Sequence, residues 1–248
     1  MRLLYLGDIH RNFNLIKSYV ENYSLSDVHI IQVGDFGVGF REFEEDYENL
    51  ERINKILIEN NVFVWAIRGN HDYKPYFDND PFNFSNIKLV KDYTVLNLCN
   101  KKILCVGGAQ SVDRLDRIKR NKKKFIKCWW EDEVFVLNTD KLNGLKDIDI
   151  VVTHTAPDYC PPDNKLGFSD FVNNIIKETG DDMLKADLLI ERKLVTDMHT
   201  ILKMNNNPIT NWYYGHFHDS KILNIYGIEH RMLGIGELWE EKEKDYYV

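Results

Sequence analysis

Apolar runs and amphipathic segments alternate along the first part of the chain. The apolar run RLLYLG precedes a segment in which Phe13, Ile16 and Val20 recur at helical spacing. A second run, VHIIQVG, precedes a long amphipathic segment that starts near Phe43, and a third run, VFVWAI, follows it. Short apolar runs separated by helices are typical of buried strands, so this series predicts a β-α-β-α-β unit with a parallel sheet.

The middle of the chain has a different pattern. Three short apolar runs, IKLV, YTVLNL and KILCVGG, follow one another with turn residues between them and little room for helices. They predict an antiparallel section of sheet. The run DIDIVVTHTAP is a further candidate for a buried strand, and residues 168–205 are predicted to be mainly helical, with Leu184, Leu188 and Met198 on one face.

The last part of the chain again consists of apolar runs separated by turns. NWYYGHFH, KILNIYG and EHRMLGIG predict strands that close the fold. The sequence contains no internal repeat, no low-complexity tract and no convincing linker, so we expect residues 1–248 to form a single domain. The predicted fold class is therefore α/β, with two sheets covered by helices.

Composition and charge narrow the possible functions. With 44% hydrophobic residues the chain can bury a substantial core, and its net charge of −7 argues against a nucleic-acid binder driven by bulk positive charge. The N-terminus lacks the pattern of a signal peptide, and no apolar stretch approaches the ~20 residues that cross a bilayer, so no membrane role is expected. The four cysteines form no C-x-x-C pair and are expected to be reduced thiols in a cytoplasmic protein.

Polar residues of the metal-binding types follow five of the apolar runs. The motifs GDIH, GDFG, GNH, THT and GHFH supply Asp8, His10, Asp35, Asn70, His71, His154, His216 and His218. Because ligand sites in α/β sheets lie at the carboxyl ends of strands, we expect these side chains to converge. In a strand, residues two apart point the same way, so Asp8 and His10 are expected to bring two ligands to one place. The same spacing recurs in His216 and His218.

The chemistry of this set favours a transition metal. Its ligand atoms are carboxylate and amide oxygens and imidazole nitrogens, and no cysteine is among them. Such a mixture suits manganese, iron, zinc, nickel or cobalt better than a calcium cage or a structural zinc–thiolate site. Any one of these short motifs is weak alone, but five in succession, each ending an apolar run, favour a metal site.

The order of the motifs, GDIH, GDFG, GNHD, THT and GHFH, resembles that of the calcineurin-like metallophosphoesterases. The resemblance implies a two-sheet mixed β-sandwich flanked by helices in four layers, and two divalent metal ions, with manganese expected first. The ligands that it implies are Asp8, His10 and His218 for one metal, and Asn70, His154 and His216 for the other. Asp35 would bridge the two metals. His71 would stand beside them without binding and act as a general acid or stabilise charge, while Gly69 would let the backbone turn sharply.

The resemblance also implies an activity. A metal-dependent phosphoric ester hydrolase is expected, cleaving phosphate monoesters or diesters through a hydroxide that bridges the metals. A phosphorylated small molecule or a nucleotide is the expected substrate. The alternatives are a phosphodiesterase or nuclease acting on nucleotides or nucleic acid, a protein Ser/Thr phosphatase, and a metal-bound scaffold without catalysis. The sequence does not predict the oligomeric state.

Two departures from the family pattern affect the predicted site. Arg11 stands where many relatives have glycine, and it is interpreted either as a contact to the substrate phosphate or as a solvated residue at a helix start. The second motif, GDFGVGF, lacks the arginine and the second aspartate of the protein Ser/Thr phosphatases, which makes that activity less expected. Asp72 is predicted either to orient His71 or to stabilise a turn.

A basic segment is the remaining unusual feature. Eight Lys and Arg residues lie between Arg114 and Lys127, directly before Trp129 and Trp130. One interpretation is a solvated surface with two core tryptophans. The other is a wall that attracts anions, with Arg114 or Arg117 near the substrate and a tryptophan stacked on a base. Gly107 and Gly108 end a strand shortly before this segment, so the loop after them is predicted to face the active site.

Overall fold

The computed structural model describes residues 1–123, 127–162 and 167–241. Its strands are β1 (Arg2–Leu6), β2 (Val28–Gln32), β3 (Val62–Ala66), β4 (Ile87–Leu89), β5 (Thr94–Leu98), β6 (Lys101–Val106), β7 (Ile150–Thr153), β8 (Asn211–Tyr214), β9 (Lys221–Ile225), β10 (Ile228–Met232) and β11 (Leu238–Glu240). Its helices are α1 (Phe13–Asn22), α2 (Phe43–Glu59), α3 (Lys74–Asn79), α4 (Arg114–Lys123), α5 (Thr139–Leu142), α6 (Gly167–Thr179) and α7 (Leu184–Met204).

The first sheet has five strands in the order β11-β1-β2-β3-β4. β1, β2 and β3 are parallel, which confirms the prediction from the first part of the chain. β4 also runs parallel to β3, so the prediction that the run IKLV belongs to an antiparallel section is wrong. The short helix α3 lies between β3 and β4 and supplies the crossover that a parallel pair needs. β11 closes the other edge and runs antiparallel to β1.

The second sheet has six strands in the order β5-β6-β7-β8-β10-β9. β5 and β6 are antiparallel, as the turn residues between their apolar runs predicted. The inner strands β6, β7, β8 and β10 are parallel, and β9 is antiparallel to β10 at the far edge. Both sheets are therefore mixed, with an antiparallel strand at one edge of the first sheet and at both edges of the second.

The two sheets face each other across a shared core. Tyr5 of β1 stacks on Tyr213 of β8 with ring centroids 3.5 Å apart, and Ile31 and Val152 belong to the same buried cluster. Alternate residues of each strand point away from this core, because successive side chains of a strand lie on opposite faces. The outward residues pack on α1 and α2 in the first sheet and on α7 in the second. The predicted helix–sheet–sheet–helix layering is confirmed.

The helical part between residues 168 and 205 is divided in two. α6 ends at Thr179, and Gly180 follows it in the left-handed region with a φ of 76°. A residue with a side chain is strained there, so glycine is the natural end of this helix. Among the described residues, no helix is both long enough and apolar enough to span a bilayer.

One buried histidine of the second sheet makes stability depend on pH. His230 of β10 is 1% exposed, stacks on Trp212 and donates from Nδ1 to the carbonyl oxygen of Ile228 at 3.0 Å. Burial lowers the pKa of His230 to about 4, with His199 adding to the effect and the hydrogen bond to Ile228 opposing it. As the pH falls below the ordinary histidine value, the unfolded chain therefore binds the proton before the folded chain does, and stability is lost.

We expect this histidine to make the free energy of unfolding fall by about 2 kcal/mol between pH 7 and pH 5. Urea unfolding of the wild type and of His230→Phe at both pH values measures this contribution, because phenylalanine keeps an aromatic ring but does not titrate. The variant should lose less stability than the wild type over that range. Equal losses in the two proteins would contradict the assignment.

Candidate metal centre

The predicted ligands and the predicted catalytic residue His71 lie in loops that follow five strands. The strands and their residues are β1 with Asp8 and His10, β2 with Asp35, β3 with Asn70 and His71, β7 with His154, and β8 with His216 and His218. β1, β2 and β3 are parallel in one sheet, and β7 and β8 are parallel in the other. The carboxyl ends of these strands therefore present their loops to a common place at the edge of the sandwich.

One group of ligand atoms comes from Asp8, His10, Asp35 and His218. Their candidate ligand atoms lie within 4.8 Å of one another. The Nε2 atoms of His10 and His218 are 3.1 Å apart, and Nε2 of His218 is 3.3 Å from Oδ2 of Asp8. Both carboxylates are buried, so water screens their charge only weakly. This arrangement has the donor atoms and the spacing that a divalent cation needs.

A second group is formed by Asn70, His154 and His216. Oδ1 of Asn70 is 3.1 Å from Nε2 of His154 and 3.0 Å from Nδ1 of His216. The two groups meet at Asp35, whose Oδ1 is 3.1 Å from Nε2 of His154 while its Oδ2 is 3.6 Å from Nδ1 of His10. Asp35 thus has the position of a residue shared between two sites.

The orientation of His154 shows that the second group suits a cation. Its Nδ1 lies 2.8 Å from the carbonyl oxygen of Val33, which can only accept, so Nδ1 donates and Nε2 faces the oxygens of Asp35 and Asn70. Burial lowers the pKa of His154, but the Asp35 carboxylate outweighs burial and raises that pKa to about 9. The position favours positive charge, and a divalent metal supplies such charge.

The electrostatics of Asp35 agree with those of His154. Burial raises the pKa of the Asp35 carboxyl, but the neighbouring histidines, His154 first, outweigh burial and hold that pKa well below its usual range. Oδ1 of Asp35 also accepts a hydrogen bond from the backbone N–H of His71 at 2.8 Å. Asp35 is therefore ionised in the folded chain, as a residue between two cations must be.

The loops hold these residues in strained backbone conformations. φ is positive at four predicted ligands, with values of 44° at His10, 57° at Asp35, 70° at His216 and 58° at His218. Non-glycine residues in this region are destabilised by of order 1–3 kcal/mol each and cluster at functional sites. β1 ends at Leu6 and β8 ends at Tyr214, so the prediction that strand periodicity aligns these ligands is wrong. Loop geometry brings them together instead.

Three glycines leave room for the predicted ligands. A Cβ at Gly34 would overlap the ring of His154. A Cβ at Gly69 would overlap the carboxylate of Asp35, and a Cβ at Gly215 would overlap the carboxylate of Asp8. Gly69 does not have a positive φ. The expectation that it permits a sharp turn is therefore wrong, and its function is steric, because any side chain there displaces Asp35.

The carboxylate of Asp72 stabilises a turn. It accepts hydrogen bonds from four backbone amides, which are Phe36 at 3.1 Å, Gly37 at 2.6 Å, Val38 at 3.2 Å and Gly69 at 2.7 Å. These bonds join the loop after β2 to the loop after β3. Of the two interpretations of Asp72, the turn is correct and the orientation of His71 is not.

His71 stands beside the two groups, and Arg117 of α4 contacts it. Nε2 of His71 is 3.8 Å from Oδ2 of Asp35 and 2.5 Å from Nη2 of Arg117. A guanidinium is always protonated and can only donate, so Nε2 accepts and the imidazole is neutral in this arrangement. Burial, with Arg117 as a further cause, lowers the pKa of His71 to about 4. Arg117 is itself buried and paired with Asp113 through Nε at 2.6 Å.

A cleft of about 300 Å³ opens beside this part of the site. Its lining residues are His10, Arg11, Gly37, Phe40, Arg41 and His71. Arg11 donates to Asp46 and, at 2.8 Å, to Glu45, so carboxylates hold its guanidinium at the cleft wall. The ring of Phe40 lies 5.6 Å from that of His71 and supplies an apolar surface.

Comparison with known proteins identifies the family. The model of the family described as calcineurin-like phosphoesterase matches residues 1–230. The chain is a calcineurin-like phosphoesterase. Members of this family depend on two metal ions, and the chain is a metal-dependent phosphoric ester hydrolase. No curated protein sequence matches it significantly.

Solved structures share the fold of this phosphoesterase at low sequence identity. The protein TT1561 of Thermus thermophilus is 12% identical with a TM-score of 0.53, covering 95% of this chain and 90% of that one. The phosphopantetheinyl hydrolase of Mycobacterium tuberculosis is 17% identical with a TM-score of 0.53, covering 100% and 98%. A dimetal phosphatase from Danio rerio is 12% identical with a TM-score of 0.51, covering 94% and 87%. At these identities the similarity establishes the architecture.

Two other predicted features of the phosphoesterase, Arg114 and Trp130, are not among the residues that line the cleft. Arg114 is bound by two carboxylates, Asp181 and Asp187, each at 2.6 Å, and thereby joins α4 to the turn after α6 and to α7. We therefore leave Arg114 out of the proposed substrate contacts. Trp130 is buried against Phe40, with ring centroids 5.0 Å apart, so the core interpretation is correct for this tryptophan. Part of the basic segment, including residue 124, lies outside the described residues.

Sequence reasoning did not find two residues of the phosphoesterase that lie behind Asn70. Ser111 accepts a hydrogen bond from Nδ2 of Asn70 at 2.9 Å, and Glu133 accepts from the Ser111 hydroxyl at 2.8 Å. Ser111 lies in the loop after Gly107 and Gly108. The prediction that this loop faces the active site is the sequence signal that points to Ser111. Glu133 had none, because a single glutamate in a polar segment does not stand out.

Proposed function

We propose that this chain hydrolyses phosphate esters of small phosphorylated molecules, nucleotides among them, with two divalent metal ions. The observation that supports the proposal is that two groups of ligand atoms meet at one buried, ionised carboxylate, Asp35. One metal is assigned to Asp8, His10 and His218, the other to Asn70, His154 and His216, and Asp35 is assigned to both. When bound, the metals supply Lewis acidity toward phosphoryl oxygens and a hydroxide nucleophile near neutral pH.

Manganese is the metal we propose first. Oxygen and imidazole ligands without a thiolate suit manganese, and iron, zinc, nickel and cobalt are the other candidates. The four cysteines are all free, which supports our proposal of a cytoplasmic location.

Arg117 and His71 are proposed to serve the substrate together. Arg117 carries a fixed positive charge next to the cleft and donates to Nε2 of His71. A phosphate group offers the guanidinium stronger acceptors than a neutral imidazole does. When Arg117 binds the phosphate instead, Nε2 of His71 becomes free, takes a proton from solvent water and gives it to the departing oxygen. Arg11 lines the same cleft and is proposed as a weaker phosphate contact.

A second candidate is a phosphodiesterase or nuclease. Its supporting observation is that Lys119, Arg120 and Lys122 are exposed on α4, the helix that also carries Arg117. Exposed cations beside a phosphoesterase site favour a polyanionic substrate. The small cleft favours a small ester instead, because about 300 Å³ is at the lower end of small-molecule sites. Protein Ser/Thr phosphatase activity gains no support, since Asp72 stabilises a turn.

A panel of two synthetic esters separates these candidates. The protein is stripped of metal, reloaded with manganese, nickel, zinc or magnesium in turn, and assayed on p-nitrophenyl phosphate, its bis-ester and a set of nucleotides. We expect turnover with manganese and a preference for the monoester. Preference for the bis-ester would favour the second candidate. In that case a triple variant with Lys119, Arg120 and Lys122 replaced by alanine should lose activity on nucleic acid but keep it on the small esters. Two bound metals without turnover on any ester would contradict the proposal.

A further inference from the structure

A buried hydrogen-bond chain lies behind Asn70. The amide Nδ2 of Asn70 donates to Oγ of Ser111 at 2.9 Å, and this hydroxyl donates to Oε2 of Glu133 at 2.8 Å. The backbone N–H of Ser111 donates to the other carboxylate oxygen of Glu133, also at 2.8 Å. All three side chains are buried, so water does not compete for these bonds.

When Glu133 is ionised, the chain of bonds has a fixed direction. An ionised glutamate can only accept, so the single hydrogen of the Ser111 hydroxyl points to Glu133. The hydroxyl then has only lone pairs left for Asn70 and must receive an N–H from it. The amide nitrogen of Asn70 is therefore turned away from the metal centre and the amide oxygen toward His154 and His216.

Neighbouring bonds fix the position of this chain. Arg68, which is 1% exposed, donates from Nη1 to the carbonyl oxygen of Glu133 at 2.8 Å. The buried carboxylate of Glu191 accepts from the backbone N–H groups of Gln110 at 3.1 Å and Phe135 at 3.0 Å. The loops that carry Ser111 and Glu133 are thereby tied to each other and to the core.

We propose that Ser111 and Glu133 are positioning residues that keep the amide oxygen of Asn70 turned toward the metal pair. The inference rests on the proposed function, because it concerns the same metal centre. Without this constraint the amide of Asn70 can flip and present its NH₂ group to the metal. That group carries partial positive charge and has no lone pair available for a cation. Replacing a residue that hydrogen-bonds to a metal ligand, or supports such a bond, commonly changes metal affinity about 10–100-fold.

The test is a calorimetric titration of the full-length, metal-stripped protein with Mn²⁺, which measures the affinity of each ion. It is made at about pH 8.5, because burial raises the pKa of Glu133 to about 8 and the ionised carboxylate fixes the direction of the bonds. We expect Ser111→Ala to bind one of the two ions about 10–100-fold more weakly and the other unchanged. Glu133→Gln should have the same effect, because the hydroxyl and the N–H of Ser111 bond to different carboxylate oxygens, and glutamine replaces one of these oxygens with an NH₂ group that cannot accept.

The matched control is Glu191→Gln, since Glu191 ties the same loops without touching Ser111. Its metal affinities should equal those of the wild type.

A double-mutant cycle separates positioning from a general effect on the fold. In an Asn70→Asp background the ligand is a carboxylate, which presents an oxygen in either orientation, so Ser111→Ala should cause no further weakening. Equal weakening in both backgrounds would overturn the inference. Wild-type protein that binds two ions while Ser111→Ala and Glu133→Gln bind them equally well would also overturn it, but would leave the proposed function intact. Wild-type protein that binds no Mn²⁺ would overturn the proposed function itself.

Discussion

Asp35→Asn is expected to reduce turnover by about 10³-fold or more, because Asp35 lies between both groups of ligand atoms and provides charge to each. Asparagine keeps the size of the side chain but removes the negative charge that holds His154 protonated in the metal-free chain. The variant should also lose at least one of the two metals. Steady-state kinetics and elemental analysis of the purified protein measure both effects.

The matched control is Asp140→Asn, which makes the same chemical change at an exposed position at the start of α5. This variant should keep the activity and the metal content of the wild type. Asp35→Asn that retained two metals and nearly full turnover would show that Asp35 does not connect the two sites.

His71→Asn is expected to lower turnover by about 10²–10⁴-fold, the usual contribution of a positioned acid or base, while metal content stays close to that of the wild type. The metals should remain because His71 is not in either group of ligand atoms and its Nε2 is engaged by Arg117. Kinetics on an ester with a poor leaving group, together with elemental analysis, check the prediction.

The control for His71 is His29→Asn, since His29 lies in β2 and contacts Phe63 and Trp65. It should have wild-type kinetics. His71→Asn with full activity on poor and good leaving groups alike would remove His71 from the proton transfer. Loss of the metals in that variant would instead show that His71 is a ligand.

The layers of the fold could be predicted because the inner strands are buried on both faces and are therefore nearly continuous apolar runs. In β1, Leu4 belongs to the cluster under the helices while Tyr5 faces the other sheet, and both are apolar because both faces are covered. The direction of β4 could not be predicted in this way. Its three residues pair with β3 through backbone hydrogen bonds, and the apolar pattern is the same for a parallel and an antiparallel partner.

The identity of the candidate ligands could be predicted, but their geometry could not. Asp, His and Asn after apolar runs give a recognisable pattern, whereas the positive φ of residues such as His10 and His216 is imposed by packing. Arg117 illustrates a second limit. A cluster of basic residues does not indicate which one turns inward, and here Arg117 is buried and contacts His71.

Anomalous scattering from crystals grown with Mn²⁺ tests the central claim most directly, because it locates metal atoms without reference to activity. We expect two peaks about 3.5–4 Å apart, with the Asp35 carboxylate between them and Asn70 beside one of them. A map without peaks at this position under saturating Mn²⁺, or with its peaks elsewhere on the protein, would contradict the claim that these strand-end residues form a dinuclear metal centre.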